Sequence, residues 1–260
     1  MLFILNKLKT IWITGGSSGI GFATAEKFLN EGWNVVISSK NKENLDKAKK
    51  KLENISNNGK VYSIKCDISN REEVIDTVKK ITREISSIDI GLLNAAAYSP
   101  NKTQEFDIKN YEVLIDVNLK GTLYCIEALK NEMQKNKNGN IAIVSSPVGY
   151  RGLPTAGAYG MTKAGLINIA ESLFFDFKKF GIKIKVINPG FIKSKSTDLN
   201  TFPMPFKKSA KFAAEKIYLG LVKTNKFEII FPTFFLMILK FGRILPYTLY
   251  FYLITRITGL

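Results

Sequence analysis

TIWITGGSSGIG, Thr10 to Gly21, is the stretch on which the fold turns, because a short β-favouring run leads straight into a glycine-rich turn that opens a helix. That order is the first strand-to-helix connection of a parallel α/β sheet. Gly15 supplies the tight turn, Gly19 lets backbone amides approach an anion, and Gly21 allows close packing of helix on strand. With Thr14, Ser17, Ser18 and Ile20 they form a cradle in which unpaired helix N–H groups face a pyrophosphate.

The same rhythm continues outward. Apolar, β-rich runs at Asn34–Ser38, Val61–Lys65, Ile88–Leu93, Asn140–Ser145, Lys183–Asn188 and Phe227–Phe231 alternate with amphipathic stretches at Gly19–Glu31, Lys42–Ile55, Arg71–Ile85, Lys109–Gln134, Ala158–Phe180 and Ser209–Lys223. Strands without strict polar alternation are buried on both faces. The pattern predicts an α/β fold: a Rossmann-like, doubly wound parallel sheet of about seven strands, helices on both faces and a short apolar helical tail. With no linker, repeat or composition break before about residue 190, residues 1–260 are expected to form one domain.

Composition narrows the chemistry. The 260 residues are 45% hydrophobic and 23% charged, enough for a large core. Histidine is absent, so this chain alone builds neither a Ser-His-Asp triad nor a histidine metal site or base. Cys66 and Cys125 lie far apart, outside any metal-binding spacing. Proton chemistry therefore falls to Tyr, Lys, Asp or Glu. The net charge of +16 comes from scattered lysines rather than an arginine cluster, which reads as a solvated basic surface rather than a specific nucleic-acid face. Met1–Leu5 is apolar but broken by Asn6 and Lys7, too short for a secretory core, so a cytoplasmic location is expected.

VVISSKN, Val35 to Asn41, ends the second strand, where an acid would bind the adenosine ribose of NAD and a base the 2′-phosphate of NADP. Ser39 and Lys40 stand there with no acid, so the stretch predicts NADP(H) over NAD(H). SSPVGYRGLPTAGAYGMTK, Ser145 to Lys163, places Tyr159 and Lys163 one turn apart on a single helix face, with Ser146 at a strand end upstream. An ammonium about 5 Å from a phenol stabilises the phenolate by roughly 3 kcal/mol, or about 2 pKa units, which would bring Tyr159 toward the working range.

Taken together, TGGSSGIG, Cys66-Asp67-Ile68, Asn94-Ala95-Ala96, Asn118 within DVNLKG, Ser146, Tyr159-x-x-x-Lys163 and Asn188-Pro189-Gly190 make the chain similar to the classical short-chain dehydrogenase/reductase family over nearly its whole length. The resemblance implies a hydride-transfer enzyme with Tyr159 as general acid in the reductive direction and Ser146 holding the substrate carbonyl oxygen. It implies that Lys163 binds the nicotinamide ribose and lowers the tyrosine pKa, while Asn118 keeps a relay water. It further places Asp67 and Ile68 at the adenine, Asn94, Ala95 and Ala96 beside the cofactor, and Pro189, Gly190 and Ile192 along the nicotinamide. Homodimers or tetramers through the helices carrying Asn118 and Tyr159 are expected on the same ground. The chain departs from the family pattern at Ala96, where glycine is usual, at Leu93, and at Pro147, which holds Ser146 extended.

FIKSKSTDLNTFPMPFKK, Phe191 to Lys208, belongs to a lid region over 191–212 whose Phe202, Met204 and Phe206 suit an apolar substrate. Beyond it, in the tail over 229–257, Ile229–Leu239 and Ile244–Thr255 are uncharged runs of 11 and 12 residues with Pro232 and Pro246 near their starts, which predicts two short helices. Three readings of this tail stand: core or oligomer contact, a peripheral membrane-surface anchor, or a span. For function, an NADP(H)-dependent carbonyl reductase or alcohol dehydrogenase on an apolar or lipid-like ketone leads. A 3-oxoacyl thioester reductase and a non-catalytic NAD(P)-binding regulator are the alternatives.

Overall fold

The computed structural model describes residues 8–55, 59–99, 106–194, 197–200 and 203–259. The amino-terminal stretch Met1–Lys7 and the lid residue Phe202 lie outside them.

Seven strands form one all-parallel sheet: β1 (Thr10–Thr14), β2 (Asn34–Ser39), β3 (Val61–Lys65), β4 (Ile90–Leu93), β5 (Gly139–Val144), β6 (Ile182–Pro189) and β7 (Glu228–Phe231). Their order, β3-β2-β1-β4-β5-β6-β7, reverses direction after β1. Thr14 lies opposite Ser38 on one side and Leu93 on the other. The connections leaving β1 and β4 therefore diverge to opposite faces and leave a crevice beyond the strand ends, the switch point of such sheets. Every residue of β1, β4 and β5 is buried, as strands covered on both faces require.

Helices α1 (Gly19–Asn30) and α2 (Lys42–Ile55) cover one face together with α7 (Ala210–Val222). There Phe28 packs edge-on against Trp33 and Tyr218 with ring centres 5.1 Å apart in each case. Full burial of such a side chain contributes about 2–3 kcal/mol. On the other face lie α3 (Arg71–Glu84), α4 (Ile108–Leu114), α5 (Gly121–Asn136) and α6 (Gly157–Asp176). That layer is closed by Val78, Ile81, Leu129 and Leu166. Side-chain caps from Asn70, Asp107 and Ser209 start α3, α4 and α7, and each contributes about 1 kcal/mol.

The expected single helix over Lys109–Gln134 is interrupted. Between α4 and α5 the residues Ile115–Lys120 take π-helical form, which a pattern of 3.6-residue periodicity does not register. Its physical setting is a helix held at two points. Asn118 is tied to the chain after β4, and Gly121 passes so close to Ile68 that a Cβ there would meet the Ile68 side chain at 2.8 Å.

The tail forms the two expected helices, α8 (Thr233–Phe241) and α9 (Tyr247–Thr258), each preceded directly by a proline, Pro232 and Pro246. Only Leu236 of α8 and Tyr250 of α9 are buried. Among the described residues no helix is long and apolar enough to cross a membrane.

Candidate active site at the strand ends

The glycine turn has the geometry its residues demand. Gly15 and Gly19 take φ values of +66° and +56°, which side chains of L-residues rarely adopt. A Cβ on Gly21 would sit 2.4 Å from the Gly15 carbonyl oxygen, so helix and turn meet only because it is glycine. Ser18 begins α1 without using its side chain as a cap, leaving the first N–H groups of the helix open to a ligand. Asn94 braces the turn from below: its amide donates to the carbonyls of Thr14 (3.1 Å) and Gly15 (3.2 Å). The Thr14 hydroxyl in turn accepts from the N–H groups of Asn94 and Ala95. The residues thus fit a phosphate-bearing nucleotide, and Ala96, exposed, leaves room beside it.

Toward the β2 end, Ser17 and Ser39 share a hydrogen bond of 3.2 Å and Lys40 projects into solvent. Burial would raise the Asp67 carboxyl, but hydrogen bonds from Ser69 and the charges of Lys40 and Lys65 hold it below the usual carboxylate range. Ile68 is buried in the core, with both its side chain and its carbonyl packed against Gly121.

Across the switch point, β5 delivers Ser146 and α6 delivers Tyr159 and Lys163. The Ser146 side chain faces the Tyr159 phenol and favours its ionised form. Lys163 is 2% exposed, donates to the Val144 carbonyl at 2.9 Å, and holds its ammonium 5.4 Å from the Tyr159 ring centre. The expected lowering of the tyrosine is not found. Burial and the neighbouring Tyr98 push the Tyr159 phenol above its ordinary value, only partly offset by Ser146, while burial pushes Lys163 down to about 8. Removal of both groups from water outweighs their mutual attraction.

Asn118, buried, spends its side chain on structure. Its carbonyl accepts from the Ala97 N–H at 2.8 Å, and its amide donates to the Ala97 carbonyl at 3.0 Å and to the Thr162 hydroxyl at 3.2 Å. That joins the loop after β4 to the helix carrying Tyr159. Pro189 and Ile192 are buried; Gly190 donates to the Phe231 carbonyl, and Ser194 comes within 3.7 Å of where a Gly19 Cβ would stand.

Two features went unread in the sequence. Tyr98 stands edge-on to Tyr159 with ring centres 4.8 Å apart and donates to Asn200, whose amide reaches the Met204 sulfur at 3.4 Å. Its place just after Asn94, beyond a strand end at the crevice, is the signal that could have found it. The second is a clasp between the Ser146–Tyr159 loop and the tail. The Arg151 guanidinium donates to the carbonyls of Gly242 (2.5 Å) and Leu245 (2.6 Å), and lies 4.8 and 4.0 Å from the ring centres of Tyr247 and Tyr250. Tyr250 donates back to the Gly152 carbonyl at 2.7 Å. Beneath it, Glu228 accepts from Tyr150, Asn188 and Lys240. Burial would push the Glu228 carboxyl up, yet these partners hold it below the usual range. The same loop carries Thr155 at φ +60°, a strained backbone for a β-branched residue.

An all-parallel sheet with a glycine cradle at its switch point defines a Rossmann-type nucleotide-binding fold. The sequence profile described as short chain dehydrogenase matches residues 9–201, and the chain belongs to that family of oxidoreductases. An uncharacterised oxidoreductase of Staphylococcus epidermidis is 27% identical over 219 residues, covering 84% of this chain and 93% of the relative. One from Myxococcus xanthus is 27% identical over 242 residues, covering 93% and 94%. Among solved structures, a short-chain dehydrogenase from Sphingobium yanoikuyae in complex with NADPH superposes with a TM-score of 0.77 at 23% identity, covering 87% of this chain and 89% of that one. A short-chain type dehydrogenase/reductase from Mycobacterium marinum gives 0.77 at 20% identity, covering 85% and 93%.

Proposed function

We propose that the chain is an NADP(H)-dependent reductase of an apolar or lipid-like ketone, working reversibly on the secondary alcohol. The observation that carries this reading is the grouping of Ser146, Tyr159 and the buried Lys163, its ammonium 5.4 Å from the tyrosine ring centre, together with the Thr14–Gly21 cradle. The nicotinamide cofactor supplies the hydride in this chemistry. Ser146 holds the substrate carbonyl oxygen, and Tyr159 gives that oxygen its proton. A phenol pushed up by burial is fully protonated at neutral pH, which is the form a proton donor needs. Lys163, buried and charged at neutral pH, is placed for the ribose hydroxyls and keeps a positive field behind the phenol. Asn118 acts as a positioning residue, fixing the Ala97 backbone and Thr162 around Tyr159.

Tyr98, Met204 and Phe206 make the substrate side apolar, which supports a ketone with hydrocarbon substituents over a polar one. Exposed Leu123, Met161 and Phe175 on α5 and α6 support a homodimer or tetramer through that face. The apolar tail supports peripheral contact with a membrane.

NADP(H) preference rests on Lys40, exposed at the β2 end, with Asp67 already engaged by Ser69. The test is a fluorescence titration with NADPH and NADH. NADPH is expected to bind at least tenfold more tightly, and Lys40→Asp to weaken NADPH by about tenfold to a hundredfold with little change for NADH. Equal losses for both cofactors would remove Lys40 from its role.

A further inference from the structure

We infer that α8 and α9 form a docking face for an anionic lipid leaflet, set beside the mouth through which the apolar substrate enters. The docking stands on the tail itself; only the link to substrate entry rests on the function proposed above.

The face is apolar where a water-soluble helix pair is normally polar. Phe234 (76% exposed), Met237, Ile238, Phe241 and Ile244 (73%) on the first helix and its turn join Phe251, Leu253 and Ile257 (77%) on the second. On α8, Phe234, Met237, Ile238 and Phe241 recur at helical spacing along one side, and an exposed apolar stripe of this kind marks an interaction surface. The helices have 9 and 12 residues, or about 14 and 18 Å at 1.5 Å per residue, against a hydrocarbon core of about 30 Å. They are built to lie in a leaflet, not to cross it.

Charge chooses the occupant. From residue 229 to 260 there is no Asp or Glu, while Lys240, Arg243 and Arg256 are present, and the chain carries +16 overall. Lys240 and Arg243 turn to Glu228 and Glu171, whereas Arg256 lies over Tyr252 and donates to its hydroxyl, with no ion pair among the described residues. Two such chains meeting through this face would bring two basic bodies together. An anionic leaflet attracts them instead, by about 1 kcal/mol for each Lys or Arg near the surface. Tyr247 and Tyr252, both exposed on α9, are the amphipathic rings that settle at headgroup level.

The face is also continuous with the site. Phe235 of α8 packs on Phe206 (5.4 Å between ring centres) and Phe191 (6.2 Å) of the segment over the crevice. A hydrocarbon substrate dissolved in the leaflet would meet apolar side chains from α8 to Met204 and Tyr98.

The experiment is co-sedimentation of the full chain with vesicles of phosphatidylcholine alone and of phosphatidylcholine with about one third phosphatidylglycerol, a composition of strongly negative surface potential, alongside the oligomer mass in solution. A double variant, Phe234→Asp with Ile257→Gln, removes two three-quarter-exposed side chains; the new acid falls in the first turn of α8, where the helix dipole favours it. Binding to the anionic vesicles, weakened by salt and reduced about tenfold or more in the variant, is the expected result. Equal binding to both vesicle types overturns the anionic assignment. No vesicle binding by the parent overturns the docking, and an oligomer that the variant splits would show the face to be a contact between copies. NADPH titration without vesicles separates the two readings: lost cofactor binding with intact sedimentation overturns the function alone, and the reverse overturns the docking alone.

Discussion

The sheet-bound body and the two tail helices use the same kinds of residue in opposite directions. In α1, five of 12 residues are buried, Phe28 among them at the centre of an aromatic cluster. In α8 one residue of nine is buried, and Phe234, Met237, Ile238 and Phe241 point outward. Apolar content alone therefore does not say where a segment goes; what matters is whether a partner surface exists within the chain. The body buries its lysine and tyrosine against that logic, and the tail exposes its phenylalanines against it. Both departures sit at or beside the candidate site.

The largest expected effect belongs to the buried side of this contrast. Tyr159→Phe should lower kcat by about 10²- to 10⁴-fold while leaving NADPH affinity and melting temperature near those of the parent. Steady-state kinetics beside a cofactor titration check this, and turnover retained within a few fold would transfer the proton donor elsewhere.

Next in size is the seam between the two regions. Arg151→Ala removes two hydrogen bonds from a charged donor and its stacking on two tyrosines, so the tail should detach at a cost of about 2–3 kcal/mol. Denaturant unfolding and limited proteolysis of α8–α9 read this out. Arg151→Lys should fail to restore it, since an ammonium lacks the planar fork. Unchanged proteolysis would show that the tail holds on without the clasp.

The smallest effect has the opposite sign. Lys163 titrates at about 8 when folded and at 10.5 ordinarily. Below pH 8 both states hold the proton, so the full cost of burying the ammonium is present; between 8 and 10.5 the folded lysine releases its proton first, and the cost fades as pH rises. Lys163→Met should therefore stabilise the cofactor-free chain at pH 7 by about 1–2 kcal/mol, after the lost bond to Val144 is counted, and destabilise it by about 1 kcal/mol at pH 10.5, where little burial cost is left to offset that bond. Melting curves at the two pH values check it; a variant less stable at pH 7 would show that the bond to Val144 outweighs the buried charge.

Much of the architecture was legible. The strand at Val61–Lys65 and the helix at Lys42–Ile55 have the bounds expected from the sequence, because β-rich runs and amphipathic periodicity are local signals. The grouping of Ser146 with Tyr159 and Lys163 was legible for a similar reason, one strand end and one helix turn. What escaped were meetings between distant segments: Tyr98 with Tyr159, Arg151 with Gly242 and Leu245, Asn118 with Ala97. The shifts of Tyr159 and Lys163 escaped too, since a pair distance can be inferred from helix spacing but the loss of water around it cannot.

The π-helical stretch at Ile115–Lys120 sets the phase of everything after it. Each residue of an α-helix turns the side-chain direction by about 100°, so the wider turn decides which face of α5 meets the sheet. With it, Cys125, Leu129 and Met133 point inward. Closing the stretch into regular α-helix at unchanged length would turn those three away from the sheet by about 100°, whereas deleting one residue along with the wider turn would restore their inward phase.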